Sequence, residues 1–174
     1  MRRQLISSLT RAAVLCVALG SAVNMASAEA LSLPEGKPIL TISGNIQNTN
    51  SQGRAEFDRD MLEALTQVTV VTKTPWDDDV VTFEGVAMEE LMQLVGADGK
   101  SVQAIALNDY TTEIPMTDFS EHGVILAIKK NGEYMPVRDK GPLFIIYPYD
   151  SSAKLQSQVY YGRSAWQLST IVVE

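Results

Sequence analysis

What most constrains the fold of this 174-residue chain is a rhythm. Short β-branched or alternating apolar runs follow one another, each cut off by glycine, proline or asparagine. Residues 39–46 alternate apolar and small polar side chains, as a half-buried strand does. Residues 68–72, 80–83, 101–107, 111–114, 124–129, 143–147 and 170–173 read as further strands. The breaks carry turn chemistry. Residues 45–54 are rich in Asn, Gln, Ser and Gly, and Pro75-Trp76-Asp77-Asp78-Asp79 is a turn. Asn131-Gly132, with residues 133–137 as the returning arm, is the strongest hairpin signal in the chain.

Helices have room only to be short. Asp58 stands where an N-cap would, ahead of Met61, Leu62 and Leu65. Met88, Leu91, Met92 and Val95 share one helical face, and Gly96 closes it. Thr117-Asp118-Phe119 forms a helical turn. Many short strands with few short helices define an α+β domain built on mixed or antiparallel sheet.

The N-terminus follows a different rule. Arg2, Arg3 and Arg11 precede an apolar run at residues 12–23, and Ala26-Ser27-Ala28 supplies a small-residue cleavage site. This is the pattern of a secretory signal peptide at residues 1–28. The apolar run is about half the ~20 residues a membrane-spanning helix needs. A leader at 29–38, with Pro34 and Gly36, then precedes a single domain at 39–174. Cleavage removes the only cysteine, Cys16, and with it any disulfide or thiolate ligand. The net charge, −7 for the whole chain, falls to about −10. An acidic exported domain is a poor partner for nucleic acid or anionic membranes. One histidine, His122, leaves little material for a metal site or a nucleophile–base pair.

The candidate chemistry gathers late in the chain. Arg163, Ser164 and Trp166 bring a cation, a hydroxyl and a flat aromatic surface within four positions, beyond a polar connector that follows the 143–147 strand. A planar ligand could stack on the indole while polar groups fix its rim; the plainer reading is a Trp packing the last strand onto the core. Asn108-Asp109-Tyr110 follows a buried strand, where a carboxylate beside an amide suits an amidine-like heterocycle edge, or simply makes an Asx turn. Arg138 and Asp139 stand before the 143–147 strand as ligand contacts or as a solvated ion pair. Asp77-Asp78-Asp79 lacks the spaced oxygens and glycine of a calcium loop and reads as an acidic turn.

Four stretches carry a resemblance. F-E-G-V-A-M-E-E-L-M-Q-L-V-G-A, A-L-N-D-Y-T-T-E-I-P, V-R-D-K-G-P-L-F-I-I-Y-P and Y-Y-G-R-S-A-W-Q-L-S-T-I-V-V resemble the molybdopterin-binding domain of the sulfite oxidase superfamily. Within it, the chain is similar to small exported stand-alone members, the pterin-binding regulators of PruR type. The resemblance implies a sulfite-oxidase-type fold and a reduced pterin, such as a tetrahydropterin, as ligand. It further implies residence in the periplasm and action on the periplasmic domain of a membrane-bound GGDEF or EAL protein that makes or degrades cyclic di-GMP, with effects on biofilm. Trp166 would stack on the pteridine, with Asn108, Asp109 and Tyr110 lining the pocket and Arg163, Ser164 and Arg138 at its rim. Asp109 would take the 2-amino and N3 hydrogens, with Asp139 as its substitute.

Catalytic members hold molybdenum through a cysteine that this chain replaces with Ala106-Leu107-Asn108. The expectation is therefore a non-enzymatic pterin sensor without molybdenum. The rival is a molybdopterin-dependent oxidoreductase that lacks the cysteine ligand. A third reading, a haem-handling accessory, would have to use His122, Met88, Met92, Met116 or Met135 as axial ligands. The cleavage expectation has a direct check: protein recovered after export should begin at Glu29 by intact mass, and retention of residues 1–28 would remove the signal-peptide assignment.

Overall fold

The computed structural model describes residues 31–174; the expected signal peptide, its cleavage site and Cys16 lie outside the described residues. Two five-stranded sheets make up the domain. The first contains β1 (Leu40–Gly44), β2 (Ala55–Phe57), β5 (Ser101–Ala106), β6 (Thr111–Pro115) and β10 (Leu168–Val173), in the order β2-β1-β10-β5-β6. Its β1–β10 pair is parallel and its other pairs are antiparallel. The second contains β3 (Gln67–Thr72), β4 (Val81–Ala87), β7 (Ile125–Lys130), β8 (Glu133–Tyr134) and β9 (Phe144–Ile146). There β8 and β9 share β7: β8 pairs its end and β9 pairs its start. Among the described residues there are four short helices, α1 (Arg59–Glu63), α2 (Met88–Leu94), α3 (Thr117–His122) and α4 (Gln158–Arg163). The expected α+β class on mixed sheet is what forms, and it agrees with a sulfite-oxidase-type fold.

Period-two side-chain direction explains the core. Leu126, Ile128, Ile145 and Tyr147 enter the main cluster, with Leu40, Ile42, Phe57, Met88 and Val102. Their neighbours Ile125, Ala127, Phe144 and Ile146 face the other way, into a smaller cluster with Val70, Val81 and Phe83. β7 and β9 are therefore buried on both faces, and both read as continuous apolar runs. Along β10 the alternation slips, because a register shift falls between Leu168 and Thr170.

Two local readings need correction, and two elements fall outside them. The strand expected at 80–83 begins at Val81 and continues through Ala87, so Phe83-Glu84-Gly85-Val86 are rungs of the ladder. Gly85 permits this, since a Cβ there would stand 1.9 Å from the Leu126 carbonyl oxygen. The hairpin turn forms with Asn131 and Gly132 at positive φ, but its returning arm has two residues instead of five. Pro136 offers no N–H to a ladder, and the chain turns into a 3-10 segment at Val137–Asp139. β2 and α4 were not read at all. Three residues are too few for a period, and α4 begins inside the polar connector and contains Gly162.

Asp58 joins the leader to the body. One carboxylate oxygen accepts from the Met61 N–H at 2.9 Å, which is the expected N-cap, and the other accepts from the Gly36 N–H at 2.7 Å. These backbone hydrogen bonds hold its carboxyl below the usual carboxylate range. A depressed folded-state pKa contributes stability that is present above the unfolded value and lost as pH falls through the folded one. Asp58→Ala should therefore lower the melting temperature most at neutral pH. The gap from the parent should begin to narrow below about pH 4, the unfolded carboxylate value, and keep narrowing as pH falls through the depressed folded value. A gap of constant size in thermal melts from pH 7 to pH 3 would contradict the assigned role.

Candidate functional site

Two tryptophans organise the site, and the first is delivered by a turn. Thr74 Oγ1 accepts from the Trp76 N–H at 3.1 Å and donates to Asp77 Oδ2 at 2.8 Å. Asp77 Oδ1 receives Lys130 Nζ at 2.6 Å, tying the turn to the end of β7. Burial opposes charge on Asp77, but the hydrogen bonds from Lys130 and Thr74 prevail and its carboxyl lies below the usual range. So the first carboxylate of the Asp77-Asp78-Asp79 run anchors the turn. Trp76 then stands among Phe144 (5.5 Å between ring centroids), Tyr149 (6.2 Å), Tyr161 (6.0 Å) and Trp166 (5.7 Å). Its contacts with the last three are edge-to-face, the geometry that ring quadrupoles favour.

Trp166 is reached from the other side. An isolated backbone bridge pairs it with Phe144, and its ring lies 6.2 Å from that of Phe144. The indole is nevertheless 38% exposed. Gln167 follows at φ +52°; its N–H donates to the Lys140 carbonyl (2.9 Å) and its amide to the Val137 carbonyl (2.6 Å). These bonds pin the 137–140 loop beside Trp166.

The remaining walls come from α4 and from the turn after β5. Gln158, Tyr161 and Gly162 line the cleft from α4. From the β5 turn, Asn108 Oδ1 accepts from the Tyr110 N–H at 3.2 Å, the Asx bond expected of this sequence. The Tyr110 hydroxyl donates to the Gly162 carbonyl at 2.7 Å and joins the two walls. Together Trp76, Asn108, Tyr110, Gln158, Tyr161, Gly162, Ser164 and Trp166 enclose about 250 Å³. That is slightly under the ~300–1,000 Å³ of sites for drug-sized ligands and suits a molecule no larger than a bicyclic heterocycle.

Of the eight residues singled out from sequence, four line this cleft: Trp166, Asn108, Tyr110 and Ser164. Ser164 is 2% exposed and its hydroxyl is engaged twice, donating to the Tyr160 carbonyl at 2.8 Å and accepting from the Tyr149 hydroxyl. Burial pushes the Tyr149 pKa up, which keeps that donor protonated. Asp109 takes a left-handed conformation (φ +65°) in the turn and does not line the cleft. Arg138 and Asp139 lie exposed on the 3-10 segment, with Asp139 3.8 Å from Lys140; neither lines it.

Arg163, expected as a rim donor, is committed elsewhere. Its Nη1 donates to Asp118 Oδ2 at 2.8 Å, and its guanidinium lies over the Tyr160 ring at 5.4 Å. The buried Tyr147 hydroxyl donates to the same Asp118 oxygen at 2.8 Å. Burial first, and then the Asp118 carboxylate, push the Tyr147 pKa up, so this hydroxyl too remains a donor.

Trp76, Gln158, Tyr161 and Gly162 escaped the sequence reading. Trp76 had one available clue, since it is the other of only two tryptophans and sits in a proline-stiffened turn. A larger hollow of about 580 Å³ lies between the leader and α1, lined by Leu31, Leu33, Phe57, Met61 and Leu65. Its buried polar group, Asp58, is already held by Gly36 and Met61, so it lacks the convergent polar set of the smaller cleft. Of the possible axial ligands, Met88, Met92 and Met135 are enclosed in the core, and His122 packs edge-on against Tyr160.

A sheet-built α+β domain with an aromatic cleft and amide-lined walls is a small-molecule-binding module of the molybdopterin-binding class. The chain belongs to the oxidoreductase molybdopterin binding domain family, which matches residues 43–155. No curated protein matches the sequence. The match covers Trp76, Asn108 and Tyr110 and stops short of α4 and Trp166.

The metal-bearing cofactor of that family fits these residues poorly. The segment after β5, where the resemblance expects the cysteine ligand, is Ala106-Leu107-Asn108, and no thiol, imidazole or carboxylate lines the cleft. Among the described residues, no three His, Cys, Asp or Glu side chains cluster as a metal site would require.

The Arg163–Asp118 pair carries the prediction for this region. Removing one partner of a buried pair leaves the other charge uncompensated. Arg163→Ala should cost roughly 2–4 kcal/mol in urea unfolding, given its partly exposed guanidinium. Asp118→Asn added to it should recover part of that loss. A double variant less stable than Arg163→Ala alone would show that the lone carboxylate is not the source of the cost.

Proposed function

We propose that this protein is a non-enzymatic periplasmic pterin-binding protein. In this reading it reports ligand occupancy to the periplasmic domain of a membrane-bound enzyme that makes or degrades cyclic di-GMP. The observation that carries the ligand is the half-exposed indole of Trp166, set beside the Asn108 and Gln158 amides in a cleft of bicyclic size. Family membership makes a pterin-related compound the natural occupant. The pyrimidine edge of a pterin presents an amino group and a ring N–H beside a carbonyl. An amide both donates and accepts in one plane, so Asn108 and Gln158 have the right chemistry for that edge. They take over the part first given to Asp109 and Asp139.

The expected signal peptide supports export, and the reading as a sensor rests on a cleft that offers no thiol, imidazole or carboxylate and whose one serine hydroxyl is already engaged twice. The cyclic di-GMP partner rests on the resemblance to exported regulators alone. If occupancy does change receptor affinity, linkage requires the receptor to change pterin affinity by the same factor.

Fluorescence titration of the mature protein with a tetrahydropterin tests the ligand. Saturable binding is expected, and Trp166→Ala should weaken it by roughly one to two orders of magnitude, the scale of a lost stacking contact. Binding that is absent, or unchanged in a folded Trp166→Ala variant, would return that indole to a packing role.

A further inference from the structure

We infer that the cleft selects uncharged pterins and excludes those that carry phosphate, an inference that rests on the pterin reading above. No residue lining the cleft bears a formal charge. Its polar side chains carry the amides of Asn108 and Gln158, the hydroxyls of Tyr110, Tyr161 and Ser164 and the two indole N–H groups, and the Tyr110 and Ser164 hydroxyls are already engaged. A phosphoester brings a charge of about −1.5 to −2 and three strong acceptor oxygens. It is bound where charged donors or a cradle of N–H groups meet it. With the ring system in this space the phosphate would stand at the cleft's mouth, where it would lose part of its hydration and meet no charged group of the lining. The acidic excess of the whole chain adds repulsion at longer range.

No cation reaches the lining: Arg138, exposed on the loop beside Trp166, lies outside it, and others nearby are engaged elsewhere. Arg163 follows Gly162, a cleft residue, yet its guanidinium is fixed on Asp118 at 2.8 Å. Turning it toward the cleft would strip a buried carboxylate of its partner. Lys154 lies over the Tyr160 ring at 5.8 Å, and Lys140 is 3.8 Å from Asp139. The Arg163–Asp118 pair therefore acts as a specificity determinant without touching the ligand. The same charge-free lining disfavours the family's own cofactor a second time, since molybdopterin ends in a phosphate and the cleft offers neither thiolate nor cation.

The test compares 7,8-dihydroneopterin with its phosphate ester by fluorescence titration of the mature protein. Saturable binding of the uncharged compound is expected, with the ester at least about tenfold weaker. An ester that binds as well or better overturns the inference while leaving the pterin reading in place. If neither compound nor a tetrahydropterin binds, the pterin reading fails and the inference falls with it. Gln158→Arg, an exposed position at the start of α4, supplies the converse. It should raise ester affinity severalfold relative to dihydroneopterin. A folded variant that leaves the ratio unchanged would show that missing charge is not what discriminates.

Discussion

The salt link between Arg163 and Asp118 holds the parts of this molecule in register. It joins the last residue of α4 to α3, forty-five positions earlier in the chain, and the Tyr147 hydroxyl beyond β9 donates to the same carboxylate. Three elements that share no ladder are thereby fixed to one buried oxygen. A lone carboxylate at that depth would be costly, whereas one receiving a guanidinium and a phenol is not. α4 is only six residues long, too short to be stable by its own hydrogen bonds, so its position depends on what it is fastened to. Its other side is a wall of the cleft. The cleft has its shape because the helix is anchored from behind.

The aromatic cluster meets that anchor from the front. Trp76 touches rings contributed by β9, by the 3-10 turn after Tyr147, by α4 and by Trp166, so one indole gathers parts distant in sequence. It can do so because Thr74, Asp77 and Lys130 hold its turn rigidly. Edge-to-face contact with Trp76 leaves part of the Trp166 surface open to solvent. An exposed aromatic surface on a rigid support is prepared for a planar partner, because little motion remains to be frozen on binding.

The sheets were legible in the sequence because their signals are local. Period-two alternation, Asn131-Gly132 and the buried runs of β7 and β9 each announce themselves within a few residues. What stayed hidden depends on distance or brevity. Nothing near Arg163 indicates that Asp118 lies beside it, so a free cation next to Ser164 and Trp166 looked like a rim donor. Nothing around Gln158 marks a helix start, because six residues that include a glycine carry no usable period. Asn108 and Tyr110 were recoverable because the end of a strand aims side chains predictably. Asp109, between them, is turned off by the same left-handed step that makes the Asx turn possible.

The family match and the cleft together separate scaffold from chemistry. Residues 43–155 supply both sheets except β10 and most of β1, and with them one wall of the site. The other wall is written in the last twenty residues, where α4 and Trp166 lie. A fold of this kind constrains where a ligand sits far more than what is done to it. Catalysis at a metal needs a donor such as a thiolate at one defined point, and Ala106-Leu107-Asn108 offers no thiolate. Recognition of a flat heterocycle needs only an aromatic surface and a few amides, and those come from both walls. Binding can therefore outlast chemistry on the same scaffold, which is the physical reason to look for a pterin here before looking for a metal.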